Sequence, residues 1–172
     1  MTTEDSDPIE EGIRAWARLH PELDLSGTEV VARIVRLSRR AEERMVAALT
    51  PLGLTFHGHS VLAVLRTADK DGLRAAEICA RSHLTSGGLT NLLHRLEGAD
   101  LVERAPDPED GRASVVTLTA KGRAVADAAV AAVTAEERTL VEGLPARDRR
   151  RLAGLLSALV QATEETPARG GD

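Results

Sequence analysis

Thr85-Ser-Gly-Gly-Leu-Thr-Asn-Leu-Leu-His-Arg-Leu-Glu-Gly98, followed by Leu101-Val-Glu-Arg-Ala105 and Pro106-Asp-Pro-Glu-Asp-Gly111, decides how this chain folds. Leu89, Leu92, Leu93 and Leu96 recur at steps of three and one, which puts them on one face of a helix. Thr85 and Ser86 are good cap residues for its start. Just upstream, Leu73 to Ala80 reads as a second short helix, separated from the first by Arg81-Ser-His-Leu84. Two short helices joined by a tight turn form a helix-turn-helix. Downstream, Leu101 to Ala105 alternates apolar and polar, residues 106–111 are a dense turn signal, and Ala113 to Leu118 alternates again. That pattern is a β-hairpin. A helix-turn-helix followed directly by a hairpin is a winged helix.

The flanks are helical. Residues 8–19 carry Pro8 at the first turn and Ile9, Ile13 and Trp16 on one face. Ser26-Gly-Thr-Glu29 has the capping-box spacing and predicts a long helix to about Leu49. Pro51-Leu-Gly53 ends it, and Phe56 to Thr67 forms the next. After the hairpin, Thr119-Ala-Lys-Gly opens a helix to about Gly143, and a last one runs from about Ala146 to Thr163. The predicted fold is therefore mainly α with a small β-hairpin wing, a winged helix-turn-helix between long N- and C-terminal dimerisation helices. Its parts are an N-terminal arm and long helix over 1–52, a DNA-binding module over 53–119, C-terminal dimerisation helices over 120–165 and a frayed tail over 166–172. The outer helices carry more apolar surface than so small a module can cover, so they need an identical partner.

The 172 residues are 42% hydrophobic and 28% charged, a globular composition. Trp16 and Phe56 are the only aromatics besides histidine, which argues against a base-stacking platform for single strands. The single Cys79 excludes an intrachain disulfide or a zinc ribbon. No apolar run nears the ~20 residues of a membrane span, and the acidic start is unlike a signal peptide. A soluble, cytoplasmic protein with no cofactor is expected. Net charge is −5, all of it within residues 1–25, which hold seven acids and two arginines.

Leu84 to Glu97, Leu101-Val-Glu-Arg104, Asp107-Pro-Glu-Asp-Gly-Arg112 and Leu118-Thr-Ala-Lys-Gly-Arg123, at these spacings, closely resemble the MarR family of dimeric winged-helix transcription regulators. The resemblance spans roughly residues 26–163 in element order. It implies a homodimer on a pseudo-palindromic duplex operator, most simply as a repressor released by a small molecule bound between the dimer arms and the DNA module. The residues agree with this. Ser86, Gly87 and Thr90 make a slim, polar helix start that can enter a major groove. Asn91 can grip an adenine edge, and Arg95, four residues on, lies on the same face and can reach phosphate. The resemblance assigns Arg112, at the wing tip, to the minor groove. Two departures stand out: Glu109 where the family's wing often has arginine, and Leu92 where many relatives carry arginine. Residues 73–112 hold five arginines and seven acids, so few phosphate contacts and a shallow salt slope are expected.

Trp16 on an extra N-terminal helix also resembles a urate-responsive branch of the family, and Arg104 roughly matches a second position of that site. Ser60 and Leu92 stand where the branch carries an acid and an arginine, which argues against a purine. Trp16 is then either a pocket wall or an anchor of the dimer arm. His57 and His59 read as a cap-side loop, as a proton sensor or as half a metal site. Trp16, His57, His59, Ser60 and Arg104 are the candidate effector residues, and no metal site is expected. Cys79 reads as a small buried hydrophobe. Arg33, Arg36, Arg39, Arg40 and Arg44 on the long helix read as solvated surface or as ion pairs with Glu42 and Glu43. No nucleophile elbow, phosphate loop or paired-cysteine motif occurs, so no enzyme is expected. The alternative to DNA binding is a dimeric helical protein-interaction module that has lost DNA reading.

Overall fold

A computed structural model describes residues 7–68, 72–82, 84–107 and 114–165. Among these the order is α1 (Pro8–Leu19), α2 (Ser26–Leu49), one turn of 3-10 helix (Thr50–Leu52), α3 (Phe56–Thr67), β1 (Leu73–Arg74), α4 (Ala75–Ser82), α5 (Ser86–Gly98), β2 (Val102–Pro106), β3 (Ser114–Leu118), α6 (Ala120–Leu140) and α7 (Ala146–Glu165). Local chemistry sets most of these boundaries. Asp7 Oδ1 accepts the Ile9 N–H at 3.1 Å and Pro8 fills the first turn of α1. Pro51 and Gly53, the latter at φ 67°, stop the chain after α2. Three helices share one device: a threonine hydroxyl accepts a glycine N–H three residues on. The pairs are Thr55 and Gly58, Thr85 and Gly88, and Thr119 and Gly122.

The core sits where α2, α3, α5, α6 and the sheet converge. Leu49, Leu62, Ile78, Leu89 and Leu93 are its largest buried side chains, with Val61 and Val116. Ala126 and Ala129 present a flat strip of α6 at full burial, and α6 packs on both α2 and α3. Cys79 is half-buried against this core, as a small hydrophobe would be.

Two expectations are corrected. Leu73 and Arg74 are not helical; they form a third strand, and the sheet order is β1-β3-β2, all antiparallel. Leu73 pairs with Val116 and is buried. Gly72 brings the chain there in the left-handed region at φ 77°, and a Cβ on it would lie 2.5 Å from the Val116 carbonyl oxygen. Pairing with β3 thus overrides the helical pattern at Leu73 and Arg74, and the helix begins at Ala75. The capping box at Ser26 does not form either. Ser26 is already inside α2, its N–H is accepted by Asp24 Oδ1 at 3.0 Å, and no side chain caps from Leu25. The helix starts one residue early because Asp24 supplies the acceptor.

The Leu118-Thr-Ala-Lys-Gly-Arg123 motif locks the winged module to α6. The Thr119 hydroxyl donates to the Asp100 carbonyl at 2.8 Å, Lys121 Nζ to Ala99 O at 2.7 Å, and the Thr119 N–H to Leu101 O at 3.2 Å. Gly122 is buried directly against the Leu101 carbonyl.

Within the single chain, α7 lies bare. Every residue from 146 to 164 is exposed, including Leu155 at 62% and Val160 at 53%. The first half of α2 is similar, with Val31 at 55% and Val35 at 63%, and α1 buries none of its residues. Among the described residues no single helix is long and apolar enough to cross a membrane.

Candidate nucleic-acid interface

Two-sidedness defines α5. Leu89, Leu92, Leu93 and Leu96 are all buried, which fixes the rotation of the helix. Ser86, Gly87, Thr90, Asn91 and Arg95 are consequently all exposed, on the opposite side. The Thr90 hydroxyl donates to Ser86 O, and the Arg95 and Asn91 side chains have no ion pair or hydrogen bond among the described residues. Nothing lies within 4 Å of where a Cβ on Gly87 would stand, so the start of α5 is open to an approaching surface. The structure therefore brings five of the six sequence-predicted DNA contacts onto one face. The sixth, Arg112, lies outside the described residues, as does Glu109.

The wing is braced at its base. Arg74 on β1 donates through Nε to the carboxylate of Asp107, which directly follows β2 and is 6% exposed. A carboxylate buried to that degree needs a charged partner. Glu97 at the end of α5 pairs with Arg104 of β2 at 3.0 Å and lies 3.6 Å from His94 Nδ1. Sequence reading missed both pairs, because their members are remote in sequence or were assigned elsewhere.

The candidate effector residues do not gather. Arg104 is committed to Glu97. Trp16, 57% exposed, stacks on His20 with ring centroids 5.5 Å apart. Ser60 donates its hydroxyl to the Phe56 carbonyl. His57 alone lines a groove of about 510 Å³ between the start of α3 and α5, together with Thr55, Leu84, Asn91, Leu92 and Arg95. His59 is half-buried, and its Nδ1 is buried without a hydrogen-bond partner. No group of three or more metal-ligating side chains occurs among the described residues. On α2, Arg39 pairs with Glu43, but Arg33 pairs with Asp7 and Arg44 with Glu136, so the long helix ties the arm to the body.

Burial holds the His59 imidazole below its ordinary range, opposed in part by the nearby charge of Glu137. The folded chain then binds fewer protons here than the unfolded chain. Stability is complete above the unfolded value of about 6.5 and falls as pH drops through the window beneath it. The urea midpoint of the wild type is expected to fall between pH 7.5 and 5.5 more than that of His59→Gln. Equal falls would remove His59 as the cause.

Comparison with known proteins points one way. A family profile described as MarR family matches residues 52–113. The HTH-type transcriptional repressor Rv2887 of Mycobacterium tuberculosis is 35% identical over 113 residues, 66% of this chain and 80% of that protein. The solved structure of the transcriptional repressor CouR bound to a 23-mer DNA duplex is 28% identical, with a TM-score of 0.70 over 81% of this chain and 99% of that one. CouR from Rhodococcus jostii RHA1 bound to p-coumaroyl-CoA matches at 27% identity and a TM-score of 0.65, over 73% and 87% of the two chains. Likeness of this extent, on the same helix-turn-helix and wing that the buried leucines of α5 organise, makes the chain a member of the MarR family of winged-helix transcription regulators.

Proposed function

We propose that the chain is a sequence-specific, homodimeric DNA-binding repressor released by a small-molecule effector, working in the cytoplasm and catalysing no reaction. The observation that carries the reading is the row of exposed Ser86, Thr90, Asn91 and Arg95 opposite four buried leucines on α5. Such a helix is held rigidly by its apolar side and offers hydrogen-bonding groups to a major groove. Residues 53–119 read DNA; 1–52 and 120–165 hold two copies together. A twofold dimer places two recognition helices about 10 bp apart, so the operator is a pseudo-palindrome with that half-site spacing. Support for a homodimer comes from α7: an isolated helix exposed on every side is marginal in water and needs tertiary cover.

The effector reading follows from the 510 Å³ groove, a size usual for small ligands. Asn91 and Arg95 line it and also belong to the DNA face. A ligand there withdraws both from DNA, so affinity falls by its differential binding to the free and DNA-bound states. Relatives support both halves: one CouR structure holds a DNA duplex and another p-coumaroyl-CoA.

The test is titration of the protein with the duplex upstream of its own gene at several salt concentrations. Selective binding with a shallow salt slope is expected. Asn91→Ala should weaken it by about 10- to 100-fold, the worth of one bidentate base contact of roughly 1–3 kcal/mol. Arg112→Ala should weaken it and reduce preference for A·T-rich flanks. Weak binding to every duplex, unchanged by both variants, would promote the protein-interaction module instead.

A further inference from the structure

A line drawn down α5 opposite its buried leucines passes through Gly87, Asn91, His94 and Gly98, at steps of four, three and four. Residues at such steps stack on one face of a helix. All four are exposed. The two glycines project nothing, and nothing lies within 4 Å of where a Cβ on either would stand. Asn91 and His94 are therefore the side chains that point straight out of this face, flanked by Thr90 on one side and Arg95 on the other. As an isolated histidine His94 carries no motif. The burial of the four leucines is what assigns its direction.

The surroundings of His94 are charged. Its side chain is 68% exposed, with Nδ1 3.6 Å from Glu97 Oε2. The other carboxylate oxygen, Oε1, is held by Arg104 Nε of β2 at 3.0 Å. One oxygen is thus neutralised from the wing, and the second is turned to the imidazole. A carboxylate on the Nδ1 side favours the charged imidazolium and leaves Nε2 as the outward nitrogen. The other elements packed on α5 are α3 and α4. α3 brings His57, across the groove that Asn91 and Arg95 also line. α4 brings Arg81, and Glu77, which accepts the Arg74 N–H at 2.8 Å. None of these, nor Arg95 beside it on the helix, pairs with His94 among the described residues. An ion pair as exposed as His94 with Glu97 adds little to folding, so the ring is available to a partner.

We infer that His94 contacts the duplex as the imidazolium, donating through Nε2 to an acceptor on the DNA, and that operator affinity is therefore proton-linked. Glu97 is its positioning residue, held in turn by Arg104. The acceptor is a guanine edge or a phosphate oxygen, both of which take a cationic donor. A neutral ring with its proton on Nδ1 presents a lone pair there instead, and two lone pairs repel. Binding accordingly takes up a proton. Affinity rises as pH falls through the range in which imidazoles change charge, roughly pH 8 to 5. This rests on the DNA-reading function proposed above and adds to it a residue and a dependence on pH.

The experiment titrates the full chain with a duplex that the wild type selects at pH 7.0 from a randomised pool. Wild type should bind it roughly 5- to 10-fold more tightly at pH 6.0 than at pH 8.0, as a charge-assisted hydrogen bond replaces the repulsion. His94→Gln should lose that dependence and hold near the wild-type affinity at pH 8.0. His94→Arg keeps a cation at every pH. It should bind at both pH values as tightly as wild type does at pH 6.0, a gain that no misfolded helix would give. His57→Gln should keep the wild-type profile. Glu97→Gln should move the rise to lower pH, because the anion that favours the imidazolium is gone; an unmoved rise would remove Glu97 as the positioning residue. At pH 6.0 the loss in His94→Gln also identifies the acceptor. Relaxed preference at one base pair marks a guanine, and a uniform loss with a salt slope smaller by about one marks a phosphate. An equal rise in wild type and His94→Gln would overturn His94 as the proton site. Equal affinities of the two at both pH values would remove it as a contact. DNA reading stands in either case. A wild type that selects no duplex would overturn that reading and this inference together.

Discussion

Gly122→Ala should lower stability by about 3 kcal/mol, the upper end of usual overpacking costs. A Cβ at Gly122 would lie 1.8 Å from the Leu101 carbonyl oxygen and 2.8 Å from its carbon. Backbone on both sides must move, and neither side is free. Leu101 O accepts the Thr119 N–H, and the Gly122 N–H is held by the Thr119 hydroxyl at 2.8 Å. For a chain of this length the loss corresponds to a fall in Tm of about 10 °C. Gly87→Ala is the matched control. It also sits near a helix start, but nothing lies within 4 Å of its Cβ. Its Tm should stay within about 2 °C of wild type, as for most exposed substitutions. If the two variants melt together, the close seating of α6 on the end of α5 is not what holds the module.

Leu155→Glu with Leu159→Glu should make the protein monomeric and cut duplex affinity by about 10²- to 10⁴-fold, the usual loss when a second linked site is removed. Both leucines are exposed in the single chain, at 62% and 39%, so the change removes little intrachain packing. The winged module should keep its thermal transition apart from whatever the partner contributes. Sedimentation reads the monomer, and the duplex titration reads the affinity. A variant that is monomeric yet binds the operator as tightly as wild type would show that one module suffices, and the twofold operator reading would fall.

Much of the fold is legible in the order of residues because it rests on local rules. The 3.6-residue repeat of leucines on α5 and the turn residues of the wing act within a few positions. So do the threonine caps. The boundaries of α1 and α3 and the buried side of α5 agree with the sequence reading for that reason. The same repeat places Ser86, Gly87, Thr90, Asn91 and Arg95 on one face, since a helix with one side buried has no freedom about the other.

The remainder depended on groups distant in sequence. Leu73 and Arg74 have a helical pattern but take a strand, because Val116 and Val115 of β3, far along the chain, supply the pairing. Asp107 belongs to a turn signal, yet its burial and its partner Arg74 emerge only when β1 reaches the wing. Arg104 reads as an anion ligand but is already satisfied by Glu97. Periodicity and caps, which are short-range steric and hydrogen-bonding effects, determined the helices and the exposed polar row of α5. Strand β1, the Arg74–Asp107 brace and the contact of Gly122 with Leu101 were decided by tertiary structure, because each is a pairing energy between segments that only the folded chain brings together.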